Sequence, residues 1–345
     1  MRARRLFGIG IAAILATGLA ACATPAVSND STASGGSTDT EASGSFPVTI
    51  EHALGETVIE EKPERIATVA WANHEVPLAL GIIPVGMSKA TWGDDDEDGV
   101  LPWVEDKLEE LGAETPVLFD ETDGIDFEAV ADTNPDVILG SYSGLTQEEY
   151  DTLSKIAPVV AYPEHIWATS YQDMIRMNSK AIGLAAEGDA LIEDLQSQVE
   201  AALADYPVLQ DAAPMFANFD VNDLSQIGFY PTRDTRPGFL HDLGVPVPTV
   251  MKELSAETPE FYGTVSSEEA ARFDDVDLIV AYGDDTLVDQ LQADPLLSKI
   301  PAIAEGRVAV LQNSTPLAAS ANPSPLSIPW GIDDYFAVLA APLKQ

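Results

Sequence analysis

Eight short apolar runs, separated by stretches of helical character or turn residues, constrain this chain more than any other feature. The first four are Ile66 to Ala70, Ile82 to Gly86, Asp136 to Gly140 and Pro158 to Tyr162. The second four are Met215 to Phe219, Ile227 to Tyr230, Asp277 to Tyr282 and Val308 to Gln312. Short apolar runs between helices are the pattern of parallel strands covered on both faces. Each half of the chain is therefore read as an α/β layer. Between them, Leu191, Leu195, Val199, Leu203 and Tyr206 recur every third or fourth residue, and Pro207 closes the run. This spacing predicts one amphipathic helix over Glu187 to Tyr206, a rod of ~30 Å. The expected fold is α/β, with two doubly wound lobes joined by one long helix: an N-terminal lobe over 47–182, a linking helix over 183–207 and a C-terminal lobe over 208–345.

The segment ahead of the lobes gives an address. Arg2, Arg4 and Arg5 precede an apolar run from Leu6 to Ala16, which is too short to span a bilayer comfortably and reads as a secretory signal over 1–21. Leu19-Ala20-Ala21-Cys22 resembles the lipobox of bacterial lipoproteins, which implies cleavage before Cys22 and lipidation of that residue. The alternative for Cys22 is a plain thiol after conventional cleavage. Residues 22–46, rich in Ser, Thr and Gly, lack the apolar surface to order themselves and read as a flexible tether. The folded part is expected at the extracytoplasmic face of the cell membrane, in the cell envelope. One cysteine in 345 residues leaves no internal disulfide, Cys-based metal site or iron–sulfur cluster. A formal charge of −40 excludes nucleic acid as a partner, because that affinity comes from Lys and Arg neutralising phosphates.

Several stretches together carry a resemblance: Pro63-Glu64-Arg65-Ile66, Ala79 to Gly86, Asn134 to Leu139, Phe239 to Val245, Val265 to Tyr282, and Pro325-Leu326-Ser327-Ile328-Pro329-Trp330. In this order the chain resembles the iron-siderophore and vitamin B12 class of substrate-binding lipoproteins of ABC importers, over roughly residues 60 to 342. That resemblance implies a class III periplasmic-binding-protein architecture with a single-helix hinge, a ligand between the lobes and small closure. It implies an Fe(III)-siderophore as ligand, no cofactor, no enzymatic activity and a monomer that docks on permease subunits served by a cytoplasmic ATPase. It also implies one glutamate per lobe facing permease arginines, at Glu128 and Glu269, with Glu268 adjacent. By themselves these two are simple acids in a first helical turn, each eight residues before a strand-opening Asp136 or Asp277.

Ligands of open α/β sheets lie beyond the carboxyl ends of the strands. Trp71 and Asn73 follow the first strand, Trp92 the second, Tyr142 the third and Trp167 the fourth; Asn218 ends one strand of the second lobe, and Tyr230, Arg233 and Arg236 follow another. Aromatic faces with forked Arg donors suit a bulky metal chelate. Each Trp could instead be a core residue, and each Arg a surface ion pair. Trp103 and Trp330, each following a proline, are weaker candidates. The acidic surface favours neutral or cationic ferric complexes, hydroxamate or mixed, over triply anionic catecholates unless Arg233 and Arg236 reverse the sign locally.

Other readings remain open. Asp94, Asp96, Asp98, Gly99 and Glu105 fit the calcium-loop template, although Pro102 falls at a ligand position and a solvated acidic loop is the simpler account. An aromatic cleft would also hold heme or a corrinoid, with His74 or His165 on its metal. Bare zinc or manganese would need several imidazoles and carboxylates to converge, drawn from only His52, His74, His165 and His241, of which His52 precedes the lobes and His241 sits on an expected helix. A secreted hydrolase is the alternative of a different class, but no G-x-S-x-G elbow, P-loop or dinucleotide fingerprint occurs.

Overall fold

The computed structural model describes residues 44–344; the signal segment 1–21, Cys22 and most of the tether lie outside the described residues. An entry hairpin, β1 (Val48–His52) and β2 (Gly55–Ile59), pairs antiparallel. It leads into β3 (Ile66–Thr68), β4 (Gly86–Ser88), β5 (Val117–Phe119), β6 (Val137–Leu139) and β7 (Val159–Val160). These five form a parallel sheet of order β5-β4-β3-β6-β7. Residues Val137, Ile138 and Leu139 are all buried, as a strand covered on both faces requires.

The second lobe contains β8 (Pro214–Asn218), β9 (Gln226–Phe229), β10 (Gly263–Ser266), β11 (Leu278–Gly283) and β12 (Val308–Gln312), in the order β10-β9-β8-β11-β12. Strands β8, β11 and β12 are parallel, whereas β9 and β10 run antiparallel to their neighbours. The run at 227–230 is therefore a hairpin return from β8 rather than a parallel strand. Its chain reverses through Asp220 and Asp223, whose carboxylates accept N–H groups two residues on, the turn chemistry that permits a short connection.

The linking helix spans Ala185–Ala204, two residues ahead of the expected range at each end. Its buried face is Gly188, Ile192, Leu195, Val199, Ala202 and Leu203, with Leu191 only partly buried. It stops because Pro207 opens a separate short helix, Pro207–Gln210. Two α/β lobes joined by this helix are the architecture expected from the sequence. The strand expected at 82–86 lies instead at 86–88. Pro84 has no N–H to donate, so the ladder starts after it, with Val85 N–H donating to Ile66 O at 2.8 Å.

One continuous apolar cluster joins the lobes. It runs from Val76, Tyr142 and Tyr171 through Leu195 and Val199 of the linking helix to Phe216 and Val280, and on to Tyr335 and Phe336 in the terminal helix Ser327–Ala340. The chain also returns to the first lobe near its end. Ala319 and Leu326 pack with Leu78, Met87 and Trp103, and Leu326 N–H donates to Glu75 Oε2 at 2.9 Å.

Candidate functional site

The strand exits of the first lobe face the segment 230–236 and the end of β11 in the second. Trp92 meets Tyr282 edge-to-face, with ring centroids 5.4 Å apart, and Tyr142 meets Trp167 in the same manner at 5.5 Å. Tyr142 Oη lies 3.1 Å from Thr235 Oγ1 and donates to Asn322 Oδ1 at 3.3 Å. Burial raises the Tyr142 phenol well above its usual range, and Asp234 adds to the shift. It therefore enters the site as a neutral hydrogen-bonding group.

Arg236 stands at the centre of the second lobe's contribution. Its Nε and Nη2 donate to the two oxygens of Asp234, both at 2.7 Å, and its guanidinium lies 3.5 Å from the centroid of Tyr230. Asp234 is fully buried. Burial alone would pull Arg236 down, but the Asp234 bonds outweigh it and hold the guanidinium well above its ordinary value. This fork is a charge-compensated unit, not a free cation. The hydroxyl of Tyr335 is buried without a hydrogen-bond partner among the described residues, and burial raises both it and the Tyr282 phenol, which lies against Arg236.

A cavity of about 520 Å³ adjoins this cluster. From the first lobe it is lined by Glu164, His165, Tyr171 and Asp173, and from the second by Arg233, Asp234, Thr235, Phe239 and Asp242. Arg233 donates through Nη2 to Ser255 O at 2.9 Å. Burial raises the Asp242 carboxyl, offset in part by His241 and reinforced by Asp173.

Trp71, Trp92, Tyr142, Trp167, Tyr230, Arg233 and Arg236 thus lie where the lobes meet or against the cluster that joins them. Two other expected residues have different surroundings. Asn73 is fully buried, and its amide donates to Val69 O, Trp71 O and Tyr142 O while its oxygen accepts from Ser141, Tyr142 N–H and Asn178. It organises the turns around Trp71 and Tyr142 and presents no free polar atom to a ligand. Asn218 is exposed at the end of β8 and does not line the cavity.

Trp103 is a core residue, donating through Nε1 to Glu75 Oε1 at 2.8 Å, with Trp330 tilted against it at 5.1 Å. Among the histidines, His52 lies 3.0 Å from Thr57 Oγ1, His74 is buried with its pKa pulled down to about 4 by desolvation, and His241 sits in the helix Thr235–Asp242. His165 is at the cavity rim. The one grouping of three or more metal-capable side chains among the described residues is Asp94, Asp96 and Asp98, with ligand atoms within 4.8 Å of one another. Asp94 spends its oxygens on the N–H groups of Asp96, Glu97 and Gly99. Glu105 is pushed up to about 7 by desolvation and by Asp98, Asp96 and Asp95, so the loop brings like charges together.

Glu128 is exposed in the first turn of the helix Phe127–Asp132. Glu269 is exposed in the 3₁₀ turn Ser267–Phe273 and bonds Arg272 at 2.7 Å, whereas Glu268 makes no ion pair among the described residues.

Three residues of the site were not expected, Asp234, Thr235 and Tyr282, and neither was Glu121, whose carboxylate accepts from Ala70 N–H beside Trp71. Tyr282 follows the rule that located Trp71, since it closes a recognised strand. Asp234 carries a weaker signal, an acid two residues before an Arg. Glu121 follows β5, a strand of three residues with Val117 half exposed, too short and too wet to register as an apolar run.

Residues 66–315 match the family model described as periplasmic binding protein. The solved structure of Streptococcus pneumoniae TIGR4 PiaA in complex with ferrichrome is 46% identical, with 86% of this chain and 98% of that chain covered at a TM-score of 0.82. Staphylococcus aureus SirA complexed with staphyloferrin B shares the fold at 20% identity, covering 85% of this chain and 98% of that one at a TM-score of 0.65. The probable siderophore-binding lipoprotein YfiY of Bacillus subtilis is 32% identical over 165 residues, 47% of each chain, so the match spans about half the length of that relative. The fold, the aromatic cleft between the lobes and the match over residues 66–315 together place this chain in the periplasmic binding protein family.

Proposed function

We propose that this chain is the lipid-anchored, extracytoplasmic substrate-binding protein of an ABC importer, holding a ferric siderophore of hydroxamate type between its lobes. Cys22 is the anchor, and Glu128 and Glu269 are the docking acids for the permease. The observation that carries the ligand class is the compensation of Arg236 by Asp234. Around the adjoining cavity, with Asp234 already matched to Arg236, Glu164, Asp173 and Asp242 outnumber Arg233. A triply anionic tris-catecholate entering such a cleft would lose hydration without gaining counter-charge, which is costly. A neutral tris-hydroxamate has no such deficit, and its bulk suits the faces of Trp71, Trp92, Trp167 and Tyr230. The likeness to PiaA, solved with the hydroxamate ferrichrome, supports the same class.

Binding energy comes from aromatic contact and hydrogen bonds from Tyr and Arg, and release from separation of the lobes on the permease. Titration of the purified protein with ferrichrome should quench tryptophan fluorescence, and Trp92→Ala or Trp167→Ala should weaken binding by about tenfold or more, the ~1–3 kcal/mol expected for a lost aromatic anchor. Asp234→Asn should shift preference toward a ferric tris-catecholate. Tighter binding of the tris-catecholate than of ferrichrome by the unaltered protein would overturn the reading.

A further inference from the structure

We propose that Glu121 is a positioning residue that fixes Trp71 for ligand contact by clamping the backbone turn on which Trp71 stands; this rests on the cleft being the ligand site. The turn leaves β3 in an unusual form. Ala70 and Ala72, on either side of Trp71, have φ of 60° and 62°, a left-handed conformation that glycine adopts freely and alanine does not. Two such residues flanking one tryptophan persist only where the surroundings over-determine them.

Two clamps do so. Downstream, buried Asn73 donates to Val69 O and Trp71 O. Upstream, Ala70 N–H lies beyond the last ladder bond of the strand exit, Val69 N–H to Leu139 O, and donates instead to Glu121 at 2.9 Å (Oε2) and 3.2 Å (Oε1). Ser88 Oγ donates to the same Glu121 Oε2 at 3.0 Å. The carboxylate therefore ties the exits of β3, β4 and β5 together one residue ahead of Trp71. Neither alanine is replaced by glycine, so the turn depends on these side chains to stay in place. Without Glu121 the Ala70 N–H is orphaned and the alanine is free to leave the left-handed region. Trp71 then spends only a fraction of its time in the binding geometry, and affinity falls by that fraction.

The test uses 5-fluorotryptophan NMR on the ligand-free protein, with the Trp71 resonance assigned by Trp71→Phe, alongside ferrichrome titration. Glu121→Ala should broaden or split the Trp71 resonance and weaken ferrichrome binding about tenfold. Glu121→Gln, which keeps an acceptor for Ala70 N–H, should leave both near the unaltered values. Adding Ala70→Gly to Glu121→Ala should recover part of the loss, because glycine holds the turn without a clamp. An unchanged Trp71 resonance in Glu121→Ala, or a double variant no better than Glu121→Ala, would overturn the proposal. Failure of the unaltered protein to bind ferrichrome would overturn the ligand assignment alone, since the resonance is read without ligand.

Discussion

Glu75 is fully buried, yet it accepts from Trp103 Nε1 at 2.8 Å and from Leu326 N–H at 2.9 Å. Desolvation pushes its carboxyl from 4.5 up to about 7, against the opposing effect of hydrogen bonds that include Ser324 and Trp103. A carboxyl raised on folding binds its proton more tightly in the folded state, so its stabilising share is full below pH 4.5 and lost as pH rises through about 7. The unaltered protein should lose on the order of 3 kcal/mol from this group between pH 5 and 8. Glu121 and Glu105 titrate in the same direction, so the comparison is with Glu75→Gln, which should show a flatter urea-denaturation profile by that amount. Equal slopes would refute the assignment. At this scale the sequence was partly legible: Trp103 was recognisable as a weaker cleft candidate from Pro102, but its partner, 28 positions earlier, carries no local sign of burial. Asn73 shows the same limit, because its six bonds involve three separate segments.

The linking helix illustrates what periodicity can and cannot locate. Leu195, Val199 and Leu203 were placed on the buried stripe by spacing alone and are buried. Gly188 was not, because a glycine adds nothing to an apolar pattern. A Cβ there would come within 2.1 Å of Ser179 Oγ and 2.6 Å of Ser179 Cβ, so the glycine sets the close approach of this helix to Tyr171–Ala181. Gly188→Ala should cost ~1–3 kcal/mol by overpacking, more than the helix propensity it gains, and Ser179→Gly should restore most of the loss in chemical denaturation. A stabilised Gly188→Ala would show that the two helices can part without penalty. Two of the strands that escaped notice, one in each lobe's sheet, share a physical cause. β5 has three residues with an exposed end, and β10 is a Gly/Thr/Ser edge strand with one fully buried position; neither buries enough to leave an apolar signature.

For the whole molecule, the continuous cluster that spans both lobes restricts how far they separate and so keeps Glu128 and Glu269 in a nearly fixed relation. Such a pair suits a permease that reads both acids at once. Glu128→Lys with Glu269→Lys should abolish ferrichrome uptake by cells while leaving ferrichrome quenching within about twofold, since surface changes remote from a site act nearly independently of it. Normal uptake would remove both residues from the docking face. The two-lobe plan was legible because it is written in repeated local patterns, whereas the pairing of Arg236 with Asp234 depends on how one helix start is buried against another lobe.

The return of Ala319 and Leu326 into the first lobe's core has a consequence for synthesis. The cluster around Leu78, Met87 and Trp103 cannot close when the first lobe's chain emerges, because Ala319 and Leu326 follow the last strand of the second lobe. This part of the first lobe finishes late, and a polypeptide stopped short of Ala319 would leave Trp103 and Met87 less covered. This edge of the first lobe therefore stays unsealed until the chain of the second lobe has reached it.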